Sequence, residues 1–537
     1  MRMDARHRFN TPLFWWMLIA VPTLIHFFLL YRYAANAPRL DDFSEVLTFL
    51  PNFYDTAQWH EKIRSFFSVY QDHRYGVTHA LNLLTDGINF RTYTLWGNLL
   101  LPAYVYLFWR ALSKHPLKKE ITIFAAFLFF NLQTWYGSYW ASILLTSLGS
   151  LPIALGTFLL ICSPNPRLIP CAVFCAICLT YTLGNGVLVW PLAVMYSLLD
   201  NRNKQQTLWD KRTLTWLVAG IIILTTYFYD FHFFNKEGHG GTTSAIDFLW
   251  QAFSNTPRIA IGFFSLAGSH LLYYSGQTDW RIVVAATIGA LETLALLWLI
   301  WKGALRTHHA LLLLLAFAFL TMLSIAVARA ATINLGQALQ GHYKLYTATY
   351  LLLLIVAVLD WVQENKSSRT QQSCTLFFCC VALLYIASLF LFIPTVKQYH
   401  GQLAEDTEQW LYSNTLQRGE TKLFVKQPNK KLLRAVKGNF YNPWTLLSDQ
   451  EIPTDIIYSA TCPQPATQIT AKLQSQARAL AVHIDTELTP VATQKMCLQS
   501  TKQAIFFTLP EKATTLWVPR NPEIEEDSGP WALYALP

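Results

Sequence analysis

The sequence predicts an all-α polytopic membrane domain followed by a small α/β extracytoplasmic domain. Three observations carry this prediction. The 537 residues are 53% hydrophobic and only 14% charged, with a mean hydropathy of +0.27, too apolar for a soluble protein of ordinary build. Eleven apolar runs approach the roughly 20 residues that a membrane-spanning helix needs. Beyond residue 395 these runs cease and the chain turns polar.

The runs lie near residues 12–31, 93–112, 119–135, 142–162, 167–182, 184–199, 213–231, 281–301, 308–329, 346–363 and 373–395. Lysine and arginine accumulate on the cytoplasmic side of such proteins, so the basic N-terminus MRMDARHR is expected there. Counting outward from it, Arg110–Lys119, Ser163–Arg167, Asn201–Arg212, Lys302–His309 and Asn365–Gln372 all fall on that side, and most are basic. The alternation requires that the moderately apolar stretch Ile259–Tyr274 not cross, which makes it a re-entrant or interfacial element. The first run, about 19 apolar residues, exceeds the h-region of a signal peptide. An uncleaved anchor is therefore expected, rather than cleavage at Ala35-Asn36-Ala37.

This topology divides the chain into a membrane domain, 1–395, with outer loops at 32–92 and 232–280, and an extracytoplasmic domain, 396–537. In the latter, Thr467–Val482 has helical composition, while Leu423–Val425, Ile505–Leu509 and Thr514–Val518 have strand character. The 19 Trp, 25 Tyr and 35 Phe suit many water–lipid boundaries. A net charge of +9 falls in short segments between apolar runs, which is a topology signal and not a nucleic-acid groove. Cys171, Cys175 and Cys178 match the spacing of a three-cysteine cluster site, but they sit in the nearly all-apolar run Leu168–Thr180, where inert buried thiols are expected. Cys462 and Cys497 are the only cysteines of the polar region, and in an extracytoplasmic domain two such residues are expected to pair.

The chemistry-bearing residues gather just after the first run. Asp41-Asp42 follows it directly, and Gln71-Asp72-His73-Arg74 lies in the same polar segment. Charge beside a membrane is costly to desolvate, so such a cluster has a chemical use or a structural partner. A carboxylate there can act as general base towards an acceptor hydroxyl, or hold a divalent cation, or cap a loop helix or pair with Arg39 or Arg74. Val77, Ala80, Leu81, Leu84 and Ile88 recur at helical spacing, predicting an amphipathic helix with His79, Asn82 and Asp86 on its other faces. Its N-terminus, beside Asp72-His73-Arg74, would favour an approaching anion.

Asp41-Asp42-Phe43, the amphipathic loop and Gln71-Asp72-His73-Arg74 resemble the first-loop pattern of bacterial polytopic glycosyltransferases with the C-type fold, which commonly show Asp-Asp followed by Glu-His-Arg. Gly184-Asn185-Gly186 before Trp190-Pro191, and Arg329 upstream of Gln337–Tyr343, fit the same group. The resemblance covers roughly residues 10–360, and residues from 396 onward contribute nothing to it. It implies an inner-membrane enzyme, bacterial and multi-pass, that takes a polyprenyl-phosphate-linked sugar as donor and works on the outer face, with inversion by single displacement. The acceptor would be a glycan, a lipid or a protein. Asp41 or Asp42 would be the base and Asp72 a second acid that orients acceptor or metal. His73 and Arg74 would orient the loop or contact the donor phosphate. Where relatives carry Ser-Arg-Tyr before a late span, this chain has Gly341-His342-Tyr343-Lys344, so His342 or Lys344 would take the place of the arginine, with Lys344 favoured by its charge and Arg329 a further candidate. No cofactor is required by the resemblance, although a divalent cation is compatible with it.

Rival readings remain at this point. A lipid-linked glycan ligase or polymerase would place essential residues in the second outer loop, at His232, Lys236 and His239 around Gly238–Gly241. A transporter or flippase would need ionisable residues at membrane depth, of which Glu292 is one. A non-catalytic assembly protein would use the polar domain to bind a partner.

Overall fold

A computed structural model describes residues 12–39, 41–70, 73–85, 87–143, 149–205, 207–229, 250, 253–271, 279–330, 335–365, 367–413, 454–459, 462, 467–469, 471–475, 479–484, 495–499, 504–508, 515–519 and 531–535. The described residues are predominantly helical. Five helices are long and apolar enough to cross a membrane: Phe14–Tyr33, Trp280–Trp301, His309–Arg329, Gly341–Asn365 and Gln372–Leu403. Of the other expected spans, Lys118–Phe129 and Ile169–Thr180 have 12 residues each and Lys211–Phe228 has 18, Leu100–Ala111 follows Phe90–Asn98 across the single residue Leu99, and Gly149–Ile161 adjoins residues 144–148, which lie outside the described residues. Twelve residues rise about 18 Å, well under the roughly 30 Å hydrocarbon thickness. Among the described residues five of the eleven apolar runs form single helices long and apolar enough to cross a membrane, and others are interrupted. Polar caps and glycine turns cut them: Asn131 accepts the Gln133 amide as a 3₁₀ turn begins after Phe129, and Gly184–Leu188 interrupts the path between Thr180 and Val189.

The chain forms two compact units. The first comprises Met1–Ala34, Phe66–Leu81 and Tyr93–Val396; the second comprises Ala35–Ser65, Asn82–Thr92 and Lys397–Pro537. Within the first unit the Lys344–Asn365 helix is the most enclosed of the long helices, while the long helices ending at Tyr33 and Ser413 turn most of their apolar surface outward. Leu24, Phe28, Leu383 and Phe390 are exposed on that surface, as expected of side chains whose solvent is lipid. The interior is aromatic: Tyr104 stacks on Phe129 at 4.5 Å, and Trp190 meets Trp216 at 5.8 Å. Several buried hydroxyls and amides pair between helices. Tyr104 Oη bonds Thr349 at 3.1 Å, Ser150 bonds Tyr346 Oη at 2.6 Å, and Asn185 donates to both Thr321 and Tyr346. Gly184-Asn185-Gly186 is thereby a packing device as well as a turn. A Cβ on Gly186 would lie 2.0 Å from the Leu179 carbonyl oxygen.

The stretch Ile259–Tyr274 is described as far as Leu271: it takes in most of a 12-residue helix, Thr256–Ala267, and a 3₁₀ turn, Ser269–Leu271. Backbone meets backbone where it packs on the Asp279–Trp301 helix: a Cβ on Gly268 would lie 2.2 Å from the Ala285 oxygen, and one on Gly289 2.0 Å from the Phe264 oxygen. Glu292 pairs there with His270, Oε1 to Nε2 at 3.2 Å, which is the interhelical bond open to a carboxylate at that depth.

In the second unit the described residues of the polar region are mainly strands. β3 (Thr454–Ser459), β8 (Ala504–Thr508), β7 (Lys495–Gln499), β10 (Ala532–Ala535) and β4 (Thr467–Ile469) form one antiparallel sheet in that order. β5 (Ala471–Ser475), β6 (Ala479–Ile484) and β9 (Thr515–Pro519) form another. The helix expected over Thr467–Val482 is therefore replaced by β4, β5 and part of β6. Leu480, Val482 and Ile484 alternate with Ala481 and His483, a period of two that outweighs the helical propensity of alanine, lysine and glutamine. β8 and β9 fall on two of the expected strands, while Leu423–Val425 lies outside the described residues. Cys462 and Cys497 form a disulfide, buried with Ala504 against the central strand β7.

Candidate active site

Asp41 and Asp42, adjacent in sequence, have different surroundings within the second unit. Asp42 is 1% exposed. Its Oδ2 accepts the Arg39 amide at 2.9 Å, and its own amide donates to the Arg39 carbonyl at 2.8 Å. These reciprocal bonds fix the turn that begins the short Asp42–Glu45 helix. Asp41 occupies the N-cap position but makes no side-chain cap bond, and it is only half-buried. Arg39 is buried with its guanidinium 4.6 Å from the Tyr399 ring centre, and Glu45 is buried beside this turn in sequence. A buried Glu45 was not foreseen; the spacing Asp41-x-x-x-Glu45 on one helical turn was the signal that carried it. Asn36, in the tripeptide that resembles a cleavage site, accepts the Phe90 amide at 2.8 Å and is built into the fold.

In the first unit β1 (Val69–Tyr70) and β2 (His73–Arg74) pair as a small antiparallel ladder, Tyr70 opposite His73. Asp72, with Gln71, lies outside the described residues. His73 is half-buried, its ring edge-on to Tyr75 at 5.8 Å. Arg74 is buried and gives its guanidinium to three backbone carbonyls: Nε to Tyr227 at 2.7 Å, Nη1 to Phe67 and Nη2 to Tyr229. Of the two roles expected for Arg74, orienting the loop is the one this geometry serves.

The amphipathic helix is shorter than expected, Gly76–Leu83, and its polar face is the buried one. Thr78, His79 and Asn82 are buried, whereas Leu84 is 81% exposed. Gly87, with φ of +96°, turns the chain soon afterwards and ends the periodic stripe. Of these buried polar residues, His79 is met by a protein group: its Nδ1 donates to the Phe66 carbonyl at 2.7 Å. Burial pushes the His79 pKa down to about 4, opposed by that hydrogen bond. The Thr78 hydroxyl and both amide atoms of Asn82 are buried without a hydrogen-bond partner among the described residues, a condition that water or a ligand ordinarily relieves. Asp86 lies outside the described residues.

The late motif is held in an aromatic setting. Gly341 abuts Tyr136 so closely that a Cβ would lie 2.4 Å from that residue's Cβ. His342 packs against Tyr343 at 3.9 Å, Trp140 at 5.9 Å and Tyr136 at 6.0 Å. His342, Tyr343 and Lys344 are all buried. Lys344 Nζ donates to the Ser269 carbonyl at 2.6 Å and borders a cavity of about 20 Å³ that Asn131, Gln133, Thr134, His270 and Thr347 also line. That volume suits a water, not a phosphate group. Arg329 is half-buried in a π-helical turn, Ala326–Ala330. Cys171, Cys175 and Cys178 are free thiols on one helix, Ile169–Thr180. His232, Lys236 and His239 lie outside the described residues. No protein-family model and no curated protein matches this chain.

Proposed function

We propose that the chain is a bacterial inner-membrane glycosyltransferase of the C-type fold, moving a sugar from a polyprenyl-phosphate donor to a hydroxyl of a glycan, lipid or protein acceptor on the outer face. The observation that carries this reading is the division of labour between the paired acids. Asp42 is buried and bonded to the Arg39 backbone, so it positions the turn. Asp41, half-buried on the same turn, is the general base. It takes the acceptor hydroxyl proton as that oxygen attacks the anomeric carbon, the bond from that carbon to the phosphate oxygen breaks, and polyprenyl phosphate leaves with the electron pair. The Cys462–Cys497 disulfide supports an extracytoplasmic setting for the polar domain, since such bonds persist in oxidising compartments. Five helices long and apolar enough to cross a membrane support the membrane setting.

The test is sugar transfer from a panel of labelled polyprenyl phosphate sugars in membranes carrying the native chain, Asp41→Asn or Asp42→Asn at matched expression. Asp41→Asn is expected to lower transfer by about 10²–10⁴-fold, the usual contribution of a general base. Asp42→Asn keeps an oxygen for the Arg39 amide and is expected to lose less than tenfold. Transfer unchanged in Asp41→Asn would remove the proposed base. Absence of product from every donor with the native chain would turn the reading towards the ligase or the transporter.

A further inference from the structure

Three metal-ligating groups from three separate segments of the first unit converge beneath two polar loops. His115 follows the Leu100–Ala111 helix, His308 precedes the His309–Ile325 helix, and Asp360 belongs to the last part of the Lys344–Asn365 helix. Their ligand atoms all lie within 4.8 Å of one another, and both histidines are buried. Asp360 Oδ1 is 2.8 Å from His115 Nε2 and 4.0 Å from His308 Nε2. Its Oδ2 accepts the Leu305 amide at 3.1 Å. Among the described residues no lysine or arginine pairs with Asp360.

We propose that His115, His308 and Asp360 bind one divalent first-row transition ion of the zinc class. Two imidazoles and a carboxylate are the donor set such ions take, with remaining positions left to water. The geometry is close to what is needed. Donors held about 2.1 Å from one ion in a tetrahedral arrangement stand roughly 3.4 Å apart, and the separations from Asp360, 2.8 Å and 4.0 Å, lie to either side of that spacing. The widest spacing, within 4.8 Å, closes with a movement of up to about 1.4 Å shared between two loop-borne histidines. The Leu305 bond fixes the carboxylate from behind, as outer partners of metal ligands do. The loop that supplies this amide bends through left-handed backbone at Gly303 and Leu305, φ +103° and +65°. Pro116 and Thr307, next to the two histidines in sequence, are exposed.

His115 sets the proton balance. Its Nδ1 accepts the Leu117 amide at 3.0 Å, so Nε2 carries the ring proton and donates it to Asp360. When the ion takes Nε2, that proton leaves and Nδ1 takes one up, with the Leu117 amide turning to water. The ring stays neutral. Losing the His115–Asp360 and Leu117–His115 hydrogen bonds weakens binding by roughly 10²–10³-fold, whereas zinc at structural sites gains on the order of 10⁷-fold or more. The exchange therefore favours the ion.

The test uses the full-length protein purified in detergent, stripped with a chelator and equilibrated with buffered zinc, with bound metal counted by mass spectrometry. About one zinc per chain is expected. His308→Gln and Asp360→Asn are each expected to weaken binding at least 100-fold, since even outer-shell changes cost 10–100-fold. Asp360→Asn removes the charge and keeps a single oxygen acceptor, enough for the Leu305 amide but not for His115 as well, so the melting temperature of the metal-free variant is compared with that of the native chain to separate lost binding from lost fold. His309→Gln, an exposed neighbour, is expected to retain the ion. Cobalt should give absorption bands of a histidine-bound ion that are lost in the same two variants. A native chain that takes up no zinc overturns the proposal, and so does zinc that stays with both variants.

Discussion

Arg74 connects a short ladder to three carbonyls, at Phe67, Tyr227 and Tyr229, and only a planar fork of donors reaches all three. Arg74→Lys keeps the charge but loses the fork; a loss of about 2 kcal/mol in stability is expected, read as a lowered melting temperature in detergent. His79 supplies a pH dependence. Its folded pKa of about 4 lies below the ordinary 6.5 because burial penalises the charged ring. Between those values the unfolded chain binds more protons than the folded one, so stability is fully present above pH 6.5 and declines as pH falls towards 4. The span corresponds to roughly 3 kcal/mol. His79→Asn retains a donor for Phe66 and removes the titration; denaturant midpoints at pH 7 and pH 4.5 should differ less in this variant than in the native chain.

Where two helices touch through glycine, side-chain size decides whether the element keeps its place. Gly289→Ala would bring a methyl group against the Phe264 oxygen at 2.0 Å, forcing the Thr256–Ala267 and Asp279–Trp301 helices apart. A loss of at least ~1–3 kcal/mol is expected, with His270 drawn away from Glu292; thermal unfolding measures the first effect and cysteine cross-linking between the helices the second. Hydropathy made the existence of these helices legible, because apolar runs must leave water. It left their lengths illegible, because the breaks arise from local bonds such as Asn131 to Gln133. The Gly76–Leu83 helix shows the same limit. A periodic stripe reports that two faces differ, not which one faces protein, and here Thr78, His79 and Asn82 are inside. The paired acids were legible as a cluster, but their unequal burial depends on the Arg39 turn. The convergence of His115, His308 and Asp360 spans 245 residues of sequence between its first and last members, and no local pattern announces it.

At the scale of the whole molecule, an apolar helical part and a disulfide-bonded strand region answer to different solvents. Residues 462 and 497 close a loop of 35 residues, and removing that cross-link is expected to cost the strand region about 3–4 kcal/mol by the chain-entropy relation. Cys462→Ala with Cys497→Ala, compared with the native chain with and without reductant, measures this as a shift in the melting temperature of the strand region. The same bond is also a clock. On the proposed extracytoplasmic placement of the polar region, both thiols remain open to alkylation until it has crossed the membrane and folded, and are closed afterwards. The delay between synthesis and loss of labelling in a pulse-chase experiment would therefore time the export of the last 140 or so residues, with the seven free thiols elsewhere in the chain replaced by serine or alanine so that only this pair reports.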